Sequence, residues 1–409
     1  MSKSIYVLGT MDTKGAELAY LGDCIRAAGA VPVLVDLGTG GPAQGSPDVS
    51  RTTVAAFHPD GPDAVLSKRD RGQAVTAMSQ GLSLFLLQEF RAGKFGGVIG
   101  IGGTGGTALI SPALRALPIG VPKVLVSTVA SGNTTPYVGT SDFTMVNSVV
   151  DVAGLNRVSR QVLGNAAHAI AGMTIHTPVS PEAKPTAGLT MFGVTTPCVT
   201  QVRETLEQVG WDCLVFHATG IGGQAMEKLA DSGLIQALLD LTTTEVADEV
   251  VGGVFRAGPS RFDLLAGQEI PCVLSLGALD MVNFGAKETV PEAFRHRILH
   301  VHNAQVTLMR TTPEENRAFA RWMMPKLNRS LAPLVLLIPE KGVSLLDAPG
   351  QPFHDPEADA ALFEEIEKLF QPAINRRLRR LPYHINDPEF AREAVREFQA
   401  ITAHLASRL

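Results

Sequence analysis

Short apolar runs alternate along this chain with glycine-rich loops and with helical patterns. Residues 5–8 form an apolar run, a glycine-bounded loop follows at 9–15, and leucine and isoleucine then recur at helical spacing up to residue 28. A second apolar run at 31–35 completes a strand–helix–strand unit, which joins two parallel strands through a right-handed crossover. The pattern therefore predicts an α/β fold with mostly parallel sheets and helices on both faces.

The same pattern is clearest at residues 98–110. An apolar run at 98–101 predicts a buried strand, glycine and threonine alone fill 102–107, and a helical pattern opens at 108. Glycine lets backbone N–H groups approach a phosphate closely, and the N-terminus of the following helix favours negative charge. A tight turn needs fewer glycines, so the pattern favours a phosphate or carboxylate site. Its expected ligand residues are Gly102, Gly103, Thr104, Gly105, Gly106 and Thr107.

This loop does not by itself assign the phosphate ligand. The spacing of Gly100, Gly102 and Gly105 matches the dinucleotide-binding fingerprint, which also needs an acidic residue after the next strand. The next predicted strand, 123–126, is followed by serine and threonine instead. A P-loop would need a lysine where Gly106 stands. The loop therefore predicts a phosphate, and it disfavours both a nicotinamide dehydrogenase and an ordinary P-loop enzyme.

Loops after other strands of the first half converge on the same place, because open parallel sheets bind ligands beyond the carboxyl ends of their strands. We expect Lys14 to neutralise phosphate charge, and Asp12 either to hold a metal ion or to cap its helix. Asp142 has the same two alternatives, with a ribose as a third partner. Arg71 either reaches the ligand or stays solvated in the first turn of its helix. Further ligand residues expected at this edge are Gly9, Thr10, Thr13, Asp36, Ser131, Gly132 and Asn133.

The second half of the chain restarts with the pattern of the first. The strand, glycine, helix and strand at 7–41 recur at 191–222, with the first loop shortened. Three prolines within 177–185 mark a boundary between the halves. We therefore expect two Rossmann-like domains, residues 1–180 and residues 186–409.

Polar side chains also follow predicted strands of the second half. Asp280 and Asn283 come after the apolar strand at 270–276, and His302 and Asn303 end a further strand-like run. We expect these side chains to hold a co-substrate, with Asp280 and His302 as catalytic candidates.

His300 and His302 alternate on one strand face, which is a spacing that can bind a metal. A third ligand would have to come from His296, His217 or Asp280. A lone histidine pair is more often a hydrogen-bonded structural group, and no zinc-protease pattern accompanies it.

Composition narrows the choice of partners. The formal net charge of the 409 residues is −5, so no basic surface indicates nucleic acid. No run approaches the roughly 18 apolar residues of a membrane span, and the N-terminus resembles no signal peptide. The four cysteines lack zinc-site spacing and lie in apolar surroundings, which indicates buried thiols in a reducing compartment. We therefore expect a cytoplasmic protein.

Several of these loops together resemble one known family. The motifs lie at residues 9–15, 70–72, 102–107, 141–142, 217–220, 240–245, 280–285 and 302–312. They resemble the ATP-binding domain family of the tomato mosaic virus resistance protein, over nearly the whole chain. The resemblance implies two Rossmann-like subdomains, ATP bound mainly at the glycine loops of the first, and a homodimer. It supplies no reaction, because most members of that family are uncharacterised.

Two functions remain open. The first is an ATP- and Mg²⁺-dependent enzyme of small-molecule metabolism, a phosphotransferase or ligase, with its site in the cleft between two domains. Lys14, Asp12, Asp280 and His302 would then be catalytic, and Asp12 or Asp142 would hold Mg²⁺. The second is a nucleotide-dependent module that binds or regulates a protein partner without turnover. The polar loops of the second half favour the enzyme, because a pure binder has little need of them.

Overall fold

The structure is a computed structural model that describes residues 4–176 and 184–406. These residues form two compact units, which we call the N-unit and the C-unit. The segment 177–183, which contains most of the predicted boundary, lies outside the described residues.

The N-unit is a doubly wound α/β sheet. Its elements are β1 (Ser4–Gly9), α1 (Met11–Ala27), β2 (Val31–Asp36), α2 (Arg51–Ala55), α3 (Asp63–Leu66), α4 (Arg71–Arg91), β3 (Gly97–Gly102), α5 (Thr104–Ala116), β4 (Lys123–Ser127), α6 (Thr135–Val138), β5 (Thr144–Asn147) and α7 (Arg157–Ile175). The five strands are parallel, in the order β2-β1-β3-β4-β5. The order reverses between β1 and β3, and open parallel sheets form their ligand crevice at such a point.

The C-unit repeats this plan with a sixth strand. Its elements are β6 (Thr186–Met191), α8 (Thr196–Gln208), β7 (Asp212–His217), α9 (Ile221–Asp231), β8 (Ala237–Thr242), α10 (Thr244–Val251), α11 (Leu264–Gly267), β9 (Cys272–Gly277), β10 (Met281–Phe284), β11 (Leu299–Asn303), β12 (Val306–Arg310), α12 (Pro313–Leu327), β13 (Leu334–Pro339), α13 (Pro356–Leu369), β14 (Arg376–Leu381) and α14 (Pro388–Ala406). The parallel order is β14-β13-β9-β8-β6-β7. The units β1–α1–β2 and β6–α8–β7 occupy equivalent places, as the repeat predicts.

Alternate strand residues bury against helices on opposite faces of the N-unit sheet. Val7 and Ile99 pack with apolar residues of α1 and α7, whereas Leu8 and Val98 pack with those of α4 and α5. Burial on both faces accounts for the continuous apolar runs of these strands. The predicted fold class, two α/β units with mostly parallel sheets and helices on both faces, is confirmed.

A small antiparallel sheet in the C-unit, of order β10-β12-β11, was only partly predictable. The sequence predicts a strand near β11 alone, because β10 and β12 carry the buried polar residues Asn283 and Thr307, which interrupt their apolar pattern. None of the helices in the two described ranges combines the length and the apolarity needed to cross a membrane.

Candidate functional site

A cavity of about 710 Å³ lies beyond the carboxyl ends of β1, β2 and β3 in the N-unit. We call it the edge pocket. Its volume falls within the roughly 300–1,000 Å³ that small-molecule and cofactor sites occupy. The sequence-predicted residues on its wall are Thr10, Asp12, Thr13, Lys14, Arg71, Gly103, Thr104, Gly105 and Gly106.

The part of the pocket wall that follows β3 is the N-terminus of helix α5. The N-cap residue Gly103 makes no side-chain capping hydrogen bond, and its carbonyl accepts the first helical bond from Thr107 N at 2.9 Å. The N–H groups of Thr104, Gly105 and Gly106 therefore have no acceptor within the helix. Such donors, together with the positive end of the helix dipole, favour an anion at this wall.

The glycines of this loop differ in what they do for the fold. A Cβ on Gly102 would lie 2.7 Å from Gly106 Cα, so Gly102 allows β3 and α5 to pack closely. A Cβ on Gly103, Gly105 or Gly106 would meet no atom closer than 3.8, 3.8 and 3.5 Å respectively. None of the three has a positive φ. Their lack of side chains is thus not required by packing or backbone conformation, and it leaves the pocket wall open.

Basic side chains outnumber acidic ones on the pocket wall. The basic residues are Lys14, Lys68, Arg69 and Arg71, and the acidic residues are Asp12 and Asp151. Arg71 begins α4 directly after the N-cap Asp70, and its Nη2 lies 3.8 Å from the position of a Cβ on Gly105. The guanidinium therefore reaches the glycine loop, and the surplus of positive charge favours a polyanionic ligand.

Lys14 ties the pocket to a distant loop. Its backbone interrupts α1 with φ −134° and ψ 25°, and its Nζ donates a hydrogen bond to the carbonyl of Val152. The buried carboxylate of Glu17 accepts a hydrogen bond from Gly154 N at 2.6 Å. These two contacts hold the loop against α1 and bring Asp151 to the pocket wall.

Asp151 is the wall residue that sequence reasoning missed. It lies in irregular structure between β5 and α7, and no motif marks it. Tertiary contacts, among them those of Lys14 and Glu17, hold the loop that places it there. The neighbouring Lys68 and Arg69, by contrast, carry a sequence signal as a basic run before a helix.

The carboxylate of Asp12 has one oxygen without a partner. Oδ2 accepts a hydrogen bond from Gly40 N at 2.9 Å, whereas Oδ1 is buried and makes no hydrogen bond. The N-cap of α1 is Thr10, so Asp12 does not cap the helix. A bound cation or its water shell would satisfy the orphaned oxygen, and carboxylate oxygen suits Mg²⁺. Asp12 therefore fits the predicted role of a magnesium ligand.

Asp36 and Thr107, predicted as ligands, have structural partners. Asp36 Oδ1 accepts hydrogen bonds from Met11 N at 3.0 Å and from Gly38 N at 2.8 Å, so this buried carboxylate caps the start of α1. Thr107 Oγ1 lies 2.5 Å from Ser127 Oγ and links α5 to β4. Neither side chain lines the edge pocket.

The residues predicted after β4 also lie outside the pocket wall. Asp142 forms an ion pair of 2.6 Å with the buried Lys123 and accepts a hydrogen bond from Gly120 N at 2.7 Å. Asn133 Oδ1 accepts one from Thr135 N at 3.1 Å. The other predicted residues off the wall are Gly9, Gly102, Ser131 and Gly132. A metal site in this pocket would thus rest on Asp12 and not on Asp142.

The two catalytic candidates of the C-unit have opposite environments. Asp280 is 1% exposed and accepts a hydrogen bond from Ser344 Oγ at 2.7 Å. Burial, followed by the negative charge of Asp347, raises the pKa of Asp280 to about 7. His302 is exposed on β11. One is buried and the other solvated, so they do not present one shared reactive surface.

The histidine pair of β11 gains no third ligand. No group of three or more histidine, cysteine, aspartate or glutamate residues able to hold a metal occurs in the part of the chain that the structure describes. His300 packs edge-on against Phe353, with ring centroids 6.2 Å apart. This contact agrees with a structural role for His300.

Comparison with known proteins assigns the family. Residues 3–178 match the N-terminal domain, and residues 184–402 the C-terminal domain, of the uncharacterised protein family UPF0261. The chain belongs to the UPF0261 family. The resemblance found in the sequence motifs is thereby confirmed at the level of the family, while ATP binding remains a prediction.

Bacterial and plant relatives match nearly the whole chain. A UPF0261 protein of Rhizobium meliloti is 56% identical over 98% of this chain and 99% of its own length. The ToMV resistance protein Tm-1 of tomato, Solanum lycopersicum, is 46% identical over 98% of this chain, which spans 56% of that protein. The ToMV susceptible protein tm-1 of tomato is also 46% identical. A UDP-GlcNAc 2-epimerase structure from Methanocaldococcus jannaschii aligns at 9% identity with a TM-score of 0.23, covering 66% of this chain and 83% of that one.

Proposed function

We propose that the edge pocket binds ATP with Mg²⁺, and that the protein is an ATP-dependent enzyme acting on a small molecule. The observation that carries this proposal is the loop Gly103–Gly106, whose glycines the fold itself does not require. They border the start of α5 and face a surplus of basic side chains. A polyphosphate is the ligand class that needs both close backbone approach and positive charge.

The basic side chains would neutralise different parts of the triphosphate. Arg71 reaches the glycine loop, and its planar guanidinium suits two-point contact with phosphate oxygens. Lys14 lies on the wall of the same pocket and would offset the charge of the distal phosphates. In each case a charged donor meets an anion in a partly enclosed cavity, where such hydrogen bonds are stronger than in open water.

Magnesium would be held at Asp12, through the carboxylate oxygen that lacks a hydrogen-bond partner. When bound, the ion would supply charge neutralisation between phosphate oxygens, which phosphoryl transfer requires. The hydrogen bond from Gly40 N fixes the orientation of this carboxylate.

An apolar part of the wall would hold the base. Ala74, Val75 and Leu109 line the pocket beside the polar residues. Nucleotide sites combine such apolar contact with a few placed polar groups.

Phosphoryl transfer suits this arrangement because it depends mainly on positioning and charge stabilisation. The N–H groups at the start of α5 would orient the transferring group, and Lys14 and Arg71 would stabilise its oxygens. A metabolite screen would identify the co-substrate, and the co-substrate would decide between a phosphotransferase and a ligase.

Substitution Gly103→Val tests the nucleotide site. A branched side chain here would occupy the space that a phosphate needs, while a Cβ meets only Thr128 Oγ1, at 3.8 Å. We expect calorimetry to show no ATP binding, and we expect the midpoint temperature of thermal unfolding to match that of the wild type. The matched control is Gly172→Val on α7, where a Cβ meets nothing within 4 Å. Unchanged ATP affinity in Gly103→Val would remove the assignment.

One observation favours a second function, a nucleotide-dependent module without turnover. The polar residues that would distinguish an enzyme are partly committed to the fold, since Asn283 Nδ2 donates to the buried Asp248 at 3.1 Å and Asp280 is buried. A coupled assay for ADP release over a broad metabolite panel separates the two. ADP release with any metabolite supports the enzyme. No ADP release with any metabolite, while ATP still binds, supports the module.

We also propose that the protein is a homodimer, as the family resemblance implies. Light scattering of the purified full chain across a concentration series measures the mass directly. A monomer mass at every concentration would end this proposal without touching the nucleotide site.

A further inference from the structure

Asp151 brings to the edge pocket a carboxylate to which neither the fold nor the proposed nucleotide contacts assign a role. It lies on the pocket wall and is exposed. Within residues 4–176 and 184–406, its side chain enters no hydrogen bond or ion pair. Asp12, which lines the same wall, differs because Oδ2 accepts a hydrogen bond from Gly40 N at 2.9 Å and Oδ1 is buried. The carboxylate of Asp151 is thus available to a ligand.

The chain reaches Asp151 through a strained turn. Val150 N donates a hydrogen bond to Ser148 O at 2.7 Å around Val149, whose φ is 65°. A positive φ is an outlier for a β-branched residue, and a three-residue turn of this kind is rare and strained. The side chain of Val149 is 69% exposed, so its own packing does not offset the strain. Such a conformation persists only where the surrounding structure holds it.

Contacts on both sides of the turn hold it in place. Before the turn, Ser148 N donates to the carbonyl of Ser127, the last residue of β4, at 3.2 Å. After the turn, Lys14 Nζ donates to the carbonyl of Val152. Asp151 lies between these two anchors, one on the sheet and one on α1. The fold therefore keeps its backbone in a strained conformation at the wall of the proposed nucleotide site.

The contact of Lys14 also gives Asp151 its place in the proposed complex. Val152 directly follows Asp151, so the carboxylate lies on the part of the wall where the Lys14 ammonium would offset the distal phosphates. A carboxylate there repels phosphate oxygens and is a poor phosphate ligand. It suits instead a proton acceptor beside the phosphoryl group that is transferred.

A second metal ligand is the alternative role for this carboxylate. Asp12 offers a cation a buried oxygen without a hydrogen-bond partner, whereas Asp151 is exposed. The carbonyl of Val152, next in the chain, is already bound to the ammonium of Lys14. Because like charges repel, that ammonium disfavours a divalent cation beside it. The geometry therefore favours Asp12 for the metal and Asp151 for the proton.

We propose that Asp151 is the general base of phosphoryl transfer, and that the co-substrate is therefore a compound with a free hydroxyl group. The hydroxyl oxygen attacks the γ-phosphorus of ATP. The bond between that phosphorus and the β–γ bridging oxygen breaks, and ADP leaves with the electron pair. The hydroxyl proton passes to the carboxylate of Asp151.

This inference rests on the proposed function and chooses between its two reaction classes. A ligase that activates a carboxylate presents an acceptor with no proton to give, and Asp151 would repel its negative charge. A hydroxyl group has the proton and can donate a hydrogen bond to the Asp151 carboxylate before it reacts. The inference therefore selects a phosphotransferase.

Asp151→Asn tests the base, because the amide keeps the size of the side chain and cannot take up the proton. The coupled assay measures ADP release from ATP and Mg²⁺ with sugars, polyols and nucleosides, and with carboxylic acids that lack a hydroxyl group, such as acetate and succinate. We expect only hydroxyl compounds to raise ADP release in the wild type. The variant should lose at least about 100-fold of that rate. Its ATP affinity by calorimetry should be unchanged or tighter, since a negative charge near the phosphates is gone.

Asp23→Asn is the matched control. It removes the same charge from an exposed position on α1 outside the pocket, and it should change neither the rate nor the affinity.

Several results would overturn the inference while ATP still binds to the wild type. They are ADP release raised only by the carboxylic acids, no rise with any compound, or a wild-type rate in Asp151→Asn. Loss of the magnesium-dependent gain in ATP affinity in Asp151→Asn would make Asp151 a metal ligand and also overturn it. Absence of ATP binding to the wild type would instead end the proposed function, so the two failures are distinguishable.

Discussion

Lys14 Nζ donates a hydrogen bond to the backbone carbonyl of Val152, across 138 positions of the sequence. The contact anchors a cation at the rim of the edge pocket and holds the loop that carries Asp151. A neutral carbonyl is a weaker partner for an ammonium than a phosphate oxygen. Lys14 is thus positioned in advance without being satisfied by an opposite charge.

Lys14→Ala should weaken ATP more than AMP, because the ammonium is expected to offset the distal phosphates. We expect a loss of about tenfold for ATP and less than about twofold for AMP by calorimetry. Glu17→Ala is the matched control, since it releases the same loop at Gly154 and leaves the ammonium in place. Equal losses of affinity for ATP and AMP would show that Lys14 does not contact the distal phosphates.

Asp12→Asn should uncouple magnesium from nucleotide binding. The amide oxygen can still accept the hydrogen bond from Gly40 N, so the loop should hold, but the charge that a divalent cation needs is gone. We expect the gain in ATP affinity on adding Mg²⁺ to disappear, with metal-free ATP binding equal to or tighter than wild type. Calorimetry with and without Mg²⁺ measures both, and a preserved magnesium gain would exclude Asp12 as the ligand.

Gly15→Ala should damage the fold near the pocket. A Cβ here would lie 1.9 Å from the backbone oxygen of Gln44, so the loop after β2 would have to move. We expect a loss of at least about 2 kcal/mol in the free energy of unfolding. Gly172→Ala on α7, where nothing lies within 4 Å, should instead stabilise by about 0.5–1 kcal/mol. Equal unfolding midpoints for the two variants would show that the loop tolerates the shift.

Asp359 should make stability depend on pH. Burial, followed by the negative charge of Asp347, raises the pKa of Asp359 from its ordinary 3.8 to about 8, although Arg310 opposes the shift. A raised pKa means that the folded state binds the proton more tightly than the unfolded chain. The resulting stabilisation is therefore full below about pH 4 and is lost as the pH rises towards 8.

Asp359→Asn should flatten this dependence. The amide can still accept from Arg310 and can donate to Asp347, as a protonated carboxyl would. Urea unfolding at about pH 5 and pH 8.5 measures the loss of stability between the two conditions. We expect a smaller loss in the variant than in the wild type, and an equal loss would mean that other groups carry the pH dependence.

Local sequence signals were sufficient for the two parallel sheets and for the glycine loop. The apolar runs of β1 and β3 are buried on both faces. The glycines within 103–106 are more numerous than a turn requires, and this excess is the signal from which an anion site is predicted. Lys14 and Arg71 follow directly from the loops and helix starts at the same sheet edge. These features are local, and the topology of a parallel sheet brings them together.

Pairings across the chain could not be predicted in this way. A buried aspartate after a strand looks the same in sequence whether it binds a ligand or accepts hydrogen bonds from the backbone at the start of a helix, as Asp36 does at α1. Asp142 was a metal candidate by type, yet its partner Lys123 is on the preceding strand. Asp280 followed a strand as a catalytic acid would, but Ser344 and burial give it a structural setting. In each case a partner distant in sequence decides the role.

The contact of Gly102 with Gly106 has a consequence for how ligand preference can change. With no side chain between β3 and α5, the main-chain N–H groups at the start of α5 would meet the proposed phosphates in a geometry that the fold sets. Substitutions at Ala74, Val75 or Leu109 would then alter which base is accepted while that geometry stays constant. The proposed ATP site would thus combine a main-chain part that the fold fixes with a side-chain part that can be substituted, so base selectivity could change without loss of phosphate binding.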